Sequence, residues 1–443
     1  MKPHYSNVYK QSLYQCQFSP SNEYVAHAVD NRLVIRYNDI DLTIIHVYEC
    51  PFVIEYVQWS PDSKYILIAS PSKAIVHVLS ISDTIWRAIF EDHYHGIQRV
   101  TWRSDSGGII TAAHGQFQLK MWSLTSKDVL VIKGAKFANK GYMSSPDGKY
   151  FAVLETKQGK DHLSIYTPRW TLVKHFKIDT ADASNIQWSP NSSYLAVWDN
   201  SLYYKILVYR PDGHLYTSYQ APEDGLGIKT VAWNSRSSIL AMGGYDHQIR
   251  FMTTSDWKVV IRLSHPSTIH QNTVDIYEEN SLGSSVPTLQ ARAYYQKSLK
   301  RPLPLPMTRP DYNIANPSTG IGAFQFSPDG RLFYSIDDSM PTTLWLWNAR
   351  TLKTEMIVCQ LNPIRQVVWH PAVSKLFLVS GEDRLSVVEY SSGQWDITVI
   401  TVPTDLVDFK VRRVQWSKHQ EHALLMDTHL FCLMNLFLKE QEK

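Results

Sequence analysis

The sequence predicts an all-β fold, one large β-propeller domain over residues 1–443 with about nine four-stranded blades, eight being the alternative. Three observations predict it: a phrase that recurs at a fixed spacing, strands rather than helices between its copies, and two chain ends that complement each other.

The phrase is an apolar residue, any residue, Trp or Phe, then Ser-Pro, followed by turn residues and an apolar run. Clear copies are Phe18-Ser19-Pro20, Trp59-Ser60-Pro61, Trp188-Ser189-Pro190 and Phe326-Ser327-Pro328. Weaker copies are Trp102-Arg103-Ser104, Ser144-Ser145-Pro146, Trp233-Asn234-Ser235, Trp369-His370-Pro371 and Trp416-Ser417-Lys418. Their middle residues fall at 19, 60, 103, 145, 189, 234, 327, 370 and 417, spaced 41, 43, 42, 44, 45, 93, 43 and 47 apart. A spacing in the low forties is the length of one propeller blade.

Between copies the chain reads as short β-branched and aromatic runs. After Trp59-Ser60-Pro61 come Tyr65 to Ser70, Ala74 to Leu79 and Trp86 to Phe90, separated by turn residues. Pro146-Asp147-Gly148 and Pro328-Asp329-Gly330 carry tight-turn chemistry, with Pro presetting one dihedral and Gly tolerating positive φ. The Trp or Phe ends the innermost strand, where a bulky ring fills the wedge between splaying blades. The 14 Trp, 25 Tyr and 15 Phe are therefore read first as core.

The chain ends support closure. After Trp416 only two strands remain, Ala423 to Met426 and Leu430 to Leu438, so the last blade lacks its outer strand. The segment Asn7 to Gln11 precedes the first anchor and has no partner in its own blade. The N-terminal strand is expected to complete the last blade and remove two open edges at once.

The spacing of 93 is one period plus an excess running over residues 266–319, an inter-blade insertion rich in proline and basic residues. Ser281 to Pro310 contains no acid. One reading is a solvated, partly flexible loop. The other is a docking segment for an acidic partner, carried by Arg292, Tyr294, Tyr295, Lys297, Lys300, Arg301 and Arg309.

Composition and motifs narrow the chemistry. Lys and Arg number 44 against 41 Asp and Glu, a balance that makes nucleic acid an unexpected partner. Cys16, Cys50, Cys359 and Cys432 are too scattered for a disulfide framework or a zinc ribbon. The most apolar late stretch, Ala423 to Leu438, is interrupted by Asp427, Thr428, His429 and Asn435, so no membrane span is expected. Phosphate-loop, dinucleotide, zinc-protease, Cys-x-x-Cys and nucleophile-elbow motifs are missing. His93 and His95 share a strand face in an acidic loop, but no further ligand is in view and a solvated loop is the reading taken. No enzyme activity, catalytic residue, metal or cofactor is expected.

The blades resemble the WD-repeat family. Trp122-Ser123 and Trp347-Asn348 stand where that family has Trp-Asp, and the Gly-His pair before each unit is missing. Three longer stretches resemble one branch of it. They are Leu195 to Asp199 continuing through Tyr204 to Asp212-Gly213, Leu226-Gly227-Ile228-Lys229 to Trp233, and Asn316-Pro317 with Gly320-Ile321-Gly322 before Phe326-Ser327-Pro328-Asp329, alongside His265-Pro266. These are similar to the centrosomal and spindle-pole WD-repeat family, that of WD-repeat-containing protein eight.

The resemblance implies a non-enzymatic scaffold in the cytoplasm and cytoskeleton, at the centrosome or spindle pole body. Its implied partner is a coiled-coil microtubule-anchoring protein, with a minus-end-directed kinesin-14 in the fungal version. It further implies indirect association with microtubules and γ-tubulin sites, tethering of minus ends and support of mitotic spindle assembly. The alternative is a propeller translation initiation factor binding ribosome and tRNA, a reading that would favour a basic face or a long basic tail.

Overall fold

The computed structural model describes every residue except 1–2, 114–117, 127, 222–225, 282–292, 315, 382–383, 392–393, 401, 403–408, 419–421 and 437–443. Among the described residues the regular structure is β-strand, apart from one single-turn helix at Pro71–Lys73. Among these residues no helix is long and apolar enough to cross a membrane.

Nine sheets carry the repeat, which decides for nine blades over eight. Blade 1 contains Cys16–Phe18, Tyr24–Val29, Arg32–Tyr37 and Ile44–Glu49. Blade 2 contains Tyr56–Trp59, Tyr65–Ser70, Ile75–Ser80 and Arg87–Glu91. Blade 3 contains Arg99–Trp102, Gly108–Ala112, Gln118–Ser123 and Val129–Lys133. Blade 4 contains Tyr142–Ser144, Phe151–Lys157, Lys160–Tyr166 and Leu172–Lys177. Blade 5 contains Ala183–Trp188, Leu195–Asp199, Lys205–Tyr209 and Leu215–Gln220, and blade 6 Ile228–Trp233, Ile239–Gly244, Gln248–Thr253 and Val259–Ser264. Blade 7 is built on Ile321–Phe326, Leu332–Asp337, Thr343–Asn348 and Thr354–Cys359. Blade 8 contains Ile364–Trp369, Lys375–Ser380, Arg384–Ser391 and Gln394–Ile400. Blade 9 has Arg413–Trp416, His422–Met426 and Leu430–Asn435 from the end of the chain. Two compact units divide the chain: Met1–Trp188 with Pro211–His214 and Val414–Lys443, and Ser189–Arg210 with Leu215–Arg413.

The repeated serine explains the repeated phrase. Ser60, Ser145, Ser189 and Ser327 are buried. Each hydroxyl donates to the side chain two residues on, Asp62, Asp147, Asn191 and Asp329, at 2.6 to 2.7 Å. Each also accepts the backbone N–H five residues on, from Tyr65, Tyr150, Tyr194 and Leu332, at 2.9 to 3.0 Å. A hydroxyl that both donates and accepts locally closes the turn after the inner strand without help from water. Three residues past the middle residue of the anchor phrase (Ser60, Arg103, Asn234 and Ser327) the backbone is left-handed, as at Ser63 (φ 62°), Ser106 (φ 58°), Ser237 (φ 58°) and Gly330 (φ 69°). Glycine would suit that conformation, yet serine recurs because its hydroxyl is used. Ser63, Ser106 and Ser237 accept the backbone N–H of Ser21, Asp62 and Asn191 in the preceding blade at 2.8 to 3.1 Å.

The anchor rings do what the wedge requires. Trp59, Trp102, Trp188 and Trp369 donate their indole N–H to carbonyls of Gln17, Gln58, Met143 and Gln325 on the previous inner strand, at 3.0 to 3.4 Å. Tyr24, Tyr65, Tyr150 and Tyr194 stack on Trp59, Trp102, Trp188 and Trp233. Each of these tyrosines follows an anchor serine by five residues, which accounts for part of the tyrosine excess.

In the first unit, blade 9 is completed as expected. His4–Tyr5 and Tyr9–Lys10 both pair antiparallel with Leu430–Asn435. The Gln11 side-chain amide donates to the carbonyls of Asp427 and Leu430, each at 2.9 Å. Beneath the strand, His27 Nδ1–H donates to the Lys10 carbonyl (3.1 Å), while its Nε2 accepts from Arg36 (3.1 Å). The Arg36 guanidinium lies over the Tyr9 ring, 4.1 Å from its centroid. Cys16, Phe18, Leu424, Phe431 and Leu433 form the apolar seam below.

In the second unit, the insertion enlarges blade 7. Asp275–Ser281 adds to Thr354–Cys359 in parallel, and Ala293–Lys297 pairs antiparallel outside it, giving a sheet of six strands. Thr268–Ile269 and Leu303–Pro304 pair at the insertion's base. Ile269, Val274, Ile276, Leu303 and Leu305 join the core around Phe333, Trp345 and Ile357.

Candidate protein-interaction sites

The insertion is fastened to blade 8 through polar side chains. Glu279, almost fully buried, accepts from the Arg384 guanidinium and from the Leu361 N–H, both at 2.9 Å. The Tyr295 hydroxyl meets the Ser386 hydroxyl (2.8 Å) and accepts from the Gln360 amide (2.7 Å), whose oxygen accepts from Ser380 (2.8 Å). Burial pushes the Tyr295 phenol up to about 12. The Tyr277 hydroxyl donates to the Trp395 carbonyl at 3.3 Å.

The seven docking candidates separate accordingly. Neighbouring strand residues point to opposite faces, so Tyr295 turns inward while Tyr294 stays 43% exposed. Lys297 pairs with Asp275 at 2.7 Å, a hydrogen bond that raises its pKa. Arg301 donates to four carbonyls, those of Gln271, Val274, Ser298 and Lys300, and so braces the insertion's base. Lys300 and Arg309 are exposed. Arg292 lies outside the described residues.

Parts of the three stretches that carry the family resemblance meet in the second unit. Lys229 Nζ reaches Asp338 (2.6 Å) and the carbonyls of Pro317 (3.2 Å) and Thr319 (2.9 Å). Its ammonium lies 4.9 Å from the centroid of Tyr245, whose hydroxyl donates to Asn316 at 2.6 Å. Arg250, fully buried, pairs with Asp246 (2.6 Å) and sits over the Tyr204 ring, 4.5 Å from its centroid. Two glycines permit this approach. A Cβ on Gly227 would lie 2.4 Å from the Tyr203 carbonyl oxygen, and one on Gly320 (φ 75°) 2.4 Å from that of Gly244. Burial disfavours the Asp337 carboxylate, but hydrogen bonds from His247 (2.6 Å) and Ser339 outweigh it and hold its pKa below the usual range. The same His247 hydrogen bond raises the imidazole pKa.

One hydrogen-bond relay was not legible in the sequence. Trp347 donates its indole N–H to Ser335 Oγ (2.7 Å), and Ser335 donates to His265 Nε2 (2.7 Å). His265 Nδ1–H then donates to the His247 carbonyl at 3.3 Å. With no Gly-His pair before the blade, the signal available was His265 before Pro266, separated from the blade's inner strand by the whole insertion. In blade 3 the Trp122 indole finds Thr111 in the same manner, at 2.9 Å.

Reactive chemistry is sparse. Among the described residues no group of three or more His, Cys, Asp or Glu could hold a metal ion. His93 lies 3.2 Å from Glu91, and His95 lies 2.9 Å from Asp92, which also binds Lys120. All four cysteines are buried and unpaired, and burial pushes the Cys359 and Cys432 thiols up to about 12, away from nucleophilic use.

No protein-family model matches the chain. It is 32% identical to mouse WD repeat-containing protein WRAP73, over 99% of this chain and 96% of that protein. It is 25% identical to an uncharacterised WD repeat-containing protein of Schizosaccharomyces pombe, over 88% of this chain and 82% of that one. Among solved structures, the C-terminal WD40 domain of Sif2 matches with a TM-score of 0.51 at 11% identity, covering 87% of this chain and 96% of that domain. That last likeness concerns the fold alone. With an end-to-end relative above 30% identity and nine sheets of the repeat, the chain belongs to the WD repeat-containing proteins, in the family of WRAP73.

Proposed function

We propose that this WD-repeat scaffold for protein interactions binds a coiled-coil microtubule-anchoring protein at the spindle pole body or centrosome. There it tethers microtubule minus ends and supports mitotic spindle assembly, with a minus-end-directed kinesin-14 as a further member of the complex. Association with microtubules and γ-tubulin sites is then indirect. The observation that carries the reading is the junction around Lys229. Segments distant in sequence that resemble the spindle-pole family are those locked together there by Lys229, Tyr245, Asn316 and two glycines without room for a side chain. A rigid junction of this kind supports a platform whose shape is read by a partner.

Affinity purification of the tagged chain from dividing cells tests it. Coiled-coil spindle-pole proteins and a kinesin-14 should co-purify, and a fluorescent fusion should mark the spindle poles. Recovery of ribosomal subunits and initiator tRNA without spindle-pole proteins would overturn the reading in favour of translation initiation.

A further inference from the structure

Residues 133–177 hold nine Lys and Arg against three Asp and Glu, in a chain that is otherwise nearly balanced. The fold concentrates four of them. Lys157 and Lys160 face each other across the hairpin of blade 4. A bridge from Ala135 to Glu155, with the Thr156 N–H donating to the Gly134 carbonyl, brings Lys133 level with Lys157 on the other side. Lys177 lies opposite His162, two residues along the strand from Lys160 and on the same face.

Three lysines on adjacent strands repel one another, and like charges directly opposite destabilise a sheet. The acids nearby are otherwise engaged. Lys136 takes Asp161 (2.7 Å) and Asp182 (2.5 Å), and Glu155 lies 3.6 Å from His175. In blade 1 the corresponding strand ends carry an opposite-charge pair, Arg32 with Glu49 at 2.9 Å. A repulsive cluster left exposed where a sister blade is balanced marks a surface shaped for something other than stability.

We propose that this rim of blades 3 and 4 docks an extended acidic segment of a partner protein. Its carboxylates meet Lys133, Lys157, Lys160 and Lys177, and its apolar side chains lie on Leu130 and Val173. Leu130 (39% exposed) and Val173 (41% exposed) stand on the facing sides of the two outer strands. They offer apolar contact to peptide side chains, and the flat rings on this face, His162 and His175, already stack on each other with centroids 5.1 Å apart, which favours a peptide over single-stranded nucleic acid. Among the described residues the outer strand Leu172–Lys177 pairs on one side only, which leaves a backbone edge for an extended chain.

Fluorescence anisotropy with the whole chain tests the proposal, using a labelled oligoglutamate peptide and an oligothymidylate of equal charge. The peptide should bind in a salt-dependent manner, and Lys157→Glu with Lys160→Glu should weaken it by about tenfold or more. Lys258→Glu with Lys353→Glu, on other blades, should leave it unchanged. Melting of the first variant should not fall, since the two new carboxylates still face each other but now attract Lys133 and Lys177 beside them. Absence of peptide binding, equal sensitivity to both pairs, or tighter binding of the oligothymidylate would each overturn the proposal. No spindle-pole protein enters the measurement, so its outcome is independent of the partner reading above.

Discussion

Glu279 is the insertion's most committed side chain. Its carboxylate is nearly inaccessible and spends both oxygens, one on Arg384 and one on the Leu361 N–H. Removing one partner of a buried pair leaves the other charge uncompensated. Glu279→Ala is therefore expected to cost about 3 kcal/mol in urea unfolding, while Glu279→Leu combined with Arg384→Met should recover most of it. Equal losses in the single and double variants would mean that the pair contributes packing and not charge. Sequence alone singled out Tyr294, Tyr295 and Arg301 as partner-facing, and here residue type and role parted company. Tyr295 and Arg301 carry the chemistry of docking residues but are used internally. The period-2 geometry of Ala293–Lys297 tells the two tyrosines apart, and no apolar alternation in that segment announces a strand.

Strands were legible wherever apolar residues clustered between turns and obscure where they did not. The Trp or Phe ring of the anchor phrase located eight of nine blade starts by type, and Ser145-Pro146, with Ser144 in the ring's place, marked the ninth. Asp275–Ser281 escaped because its sequence, Asp-Ile-Tyr-Glu-Glu-Asn-Ser, carries three acids and owes its place to pairing with a distant strand. The N-terminal strands were legible because a missing partner at each chain end pointed to the other. Deleting residues 1–12 should remove both pairings with Leu430–Asn435, the Gln11 bonds and the ring under Arg36. A drop in Tm on the order of 5 °C or more is expected by calorimetry. An unchanged melt would show that blade 9 is held by its own three strands.

At the scale of the whole molecule, two buried neutral histidines, one in each unit, link stability to pH. Burial is the chief cause in both: His27 is lowered to about 3, with Arg36 adding repulsion, and His265 to about 4. Both hydrogen-bond patterns require an unprotonated ring nitrogen facing a donor, Arg36 in one case and Ser335 in the other. Unfolded histidine titrates near 6.5, so below that pH the unfolded chain binds protons that the native chain refuses. Stability is then full above pH 6.5 and falls as the pH drops, by roughly 2 kcal/mol per histidine at pH 5. His247, raised by Asp337, works against the trend, and His77 and His422, lowered by burial, work with it. Asp62, Asp329 and Asp337, all held below their usual range, add their loss only at lower pH, as their carboxylates protonate. Tm should therefore fall steadily from neutral pH toward pH 5, before the carboxylates contribute. His27→Gln should lower Tm at neutral pH, because the Arg36 and Lys10 contacts are disturbed, yet shrink the difference between neutral and acid. A variant that keeps the full acid-dependent drop would place the linkage elsewhere than at His27.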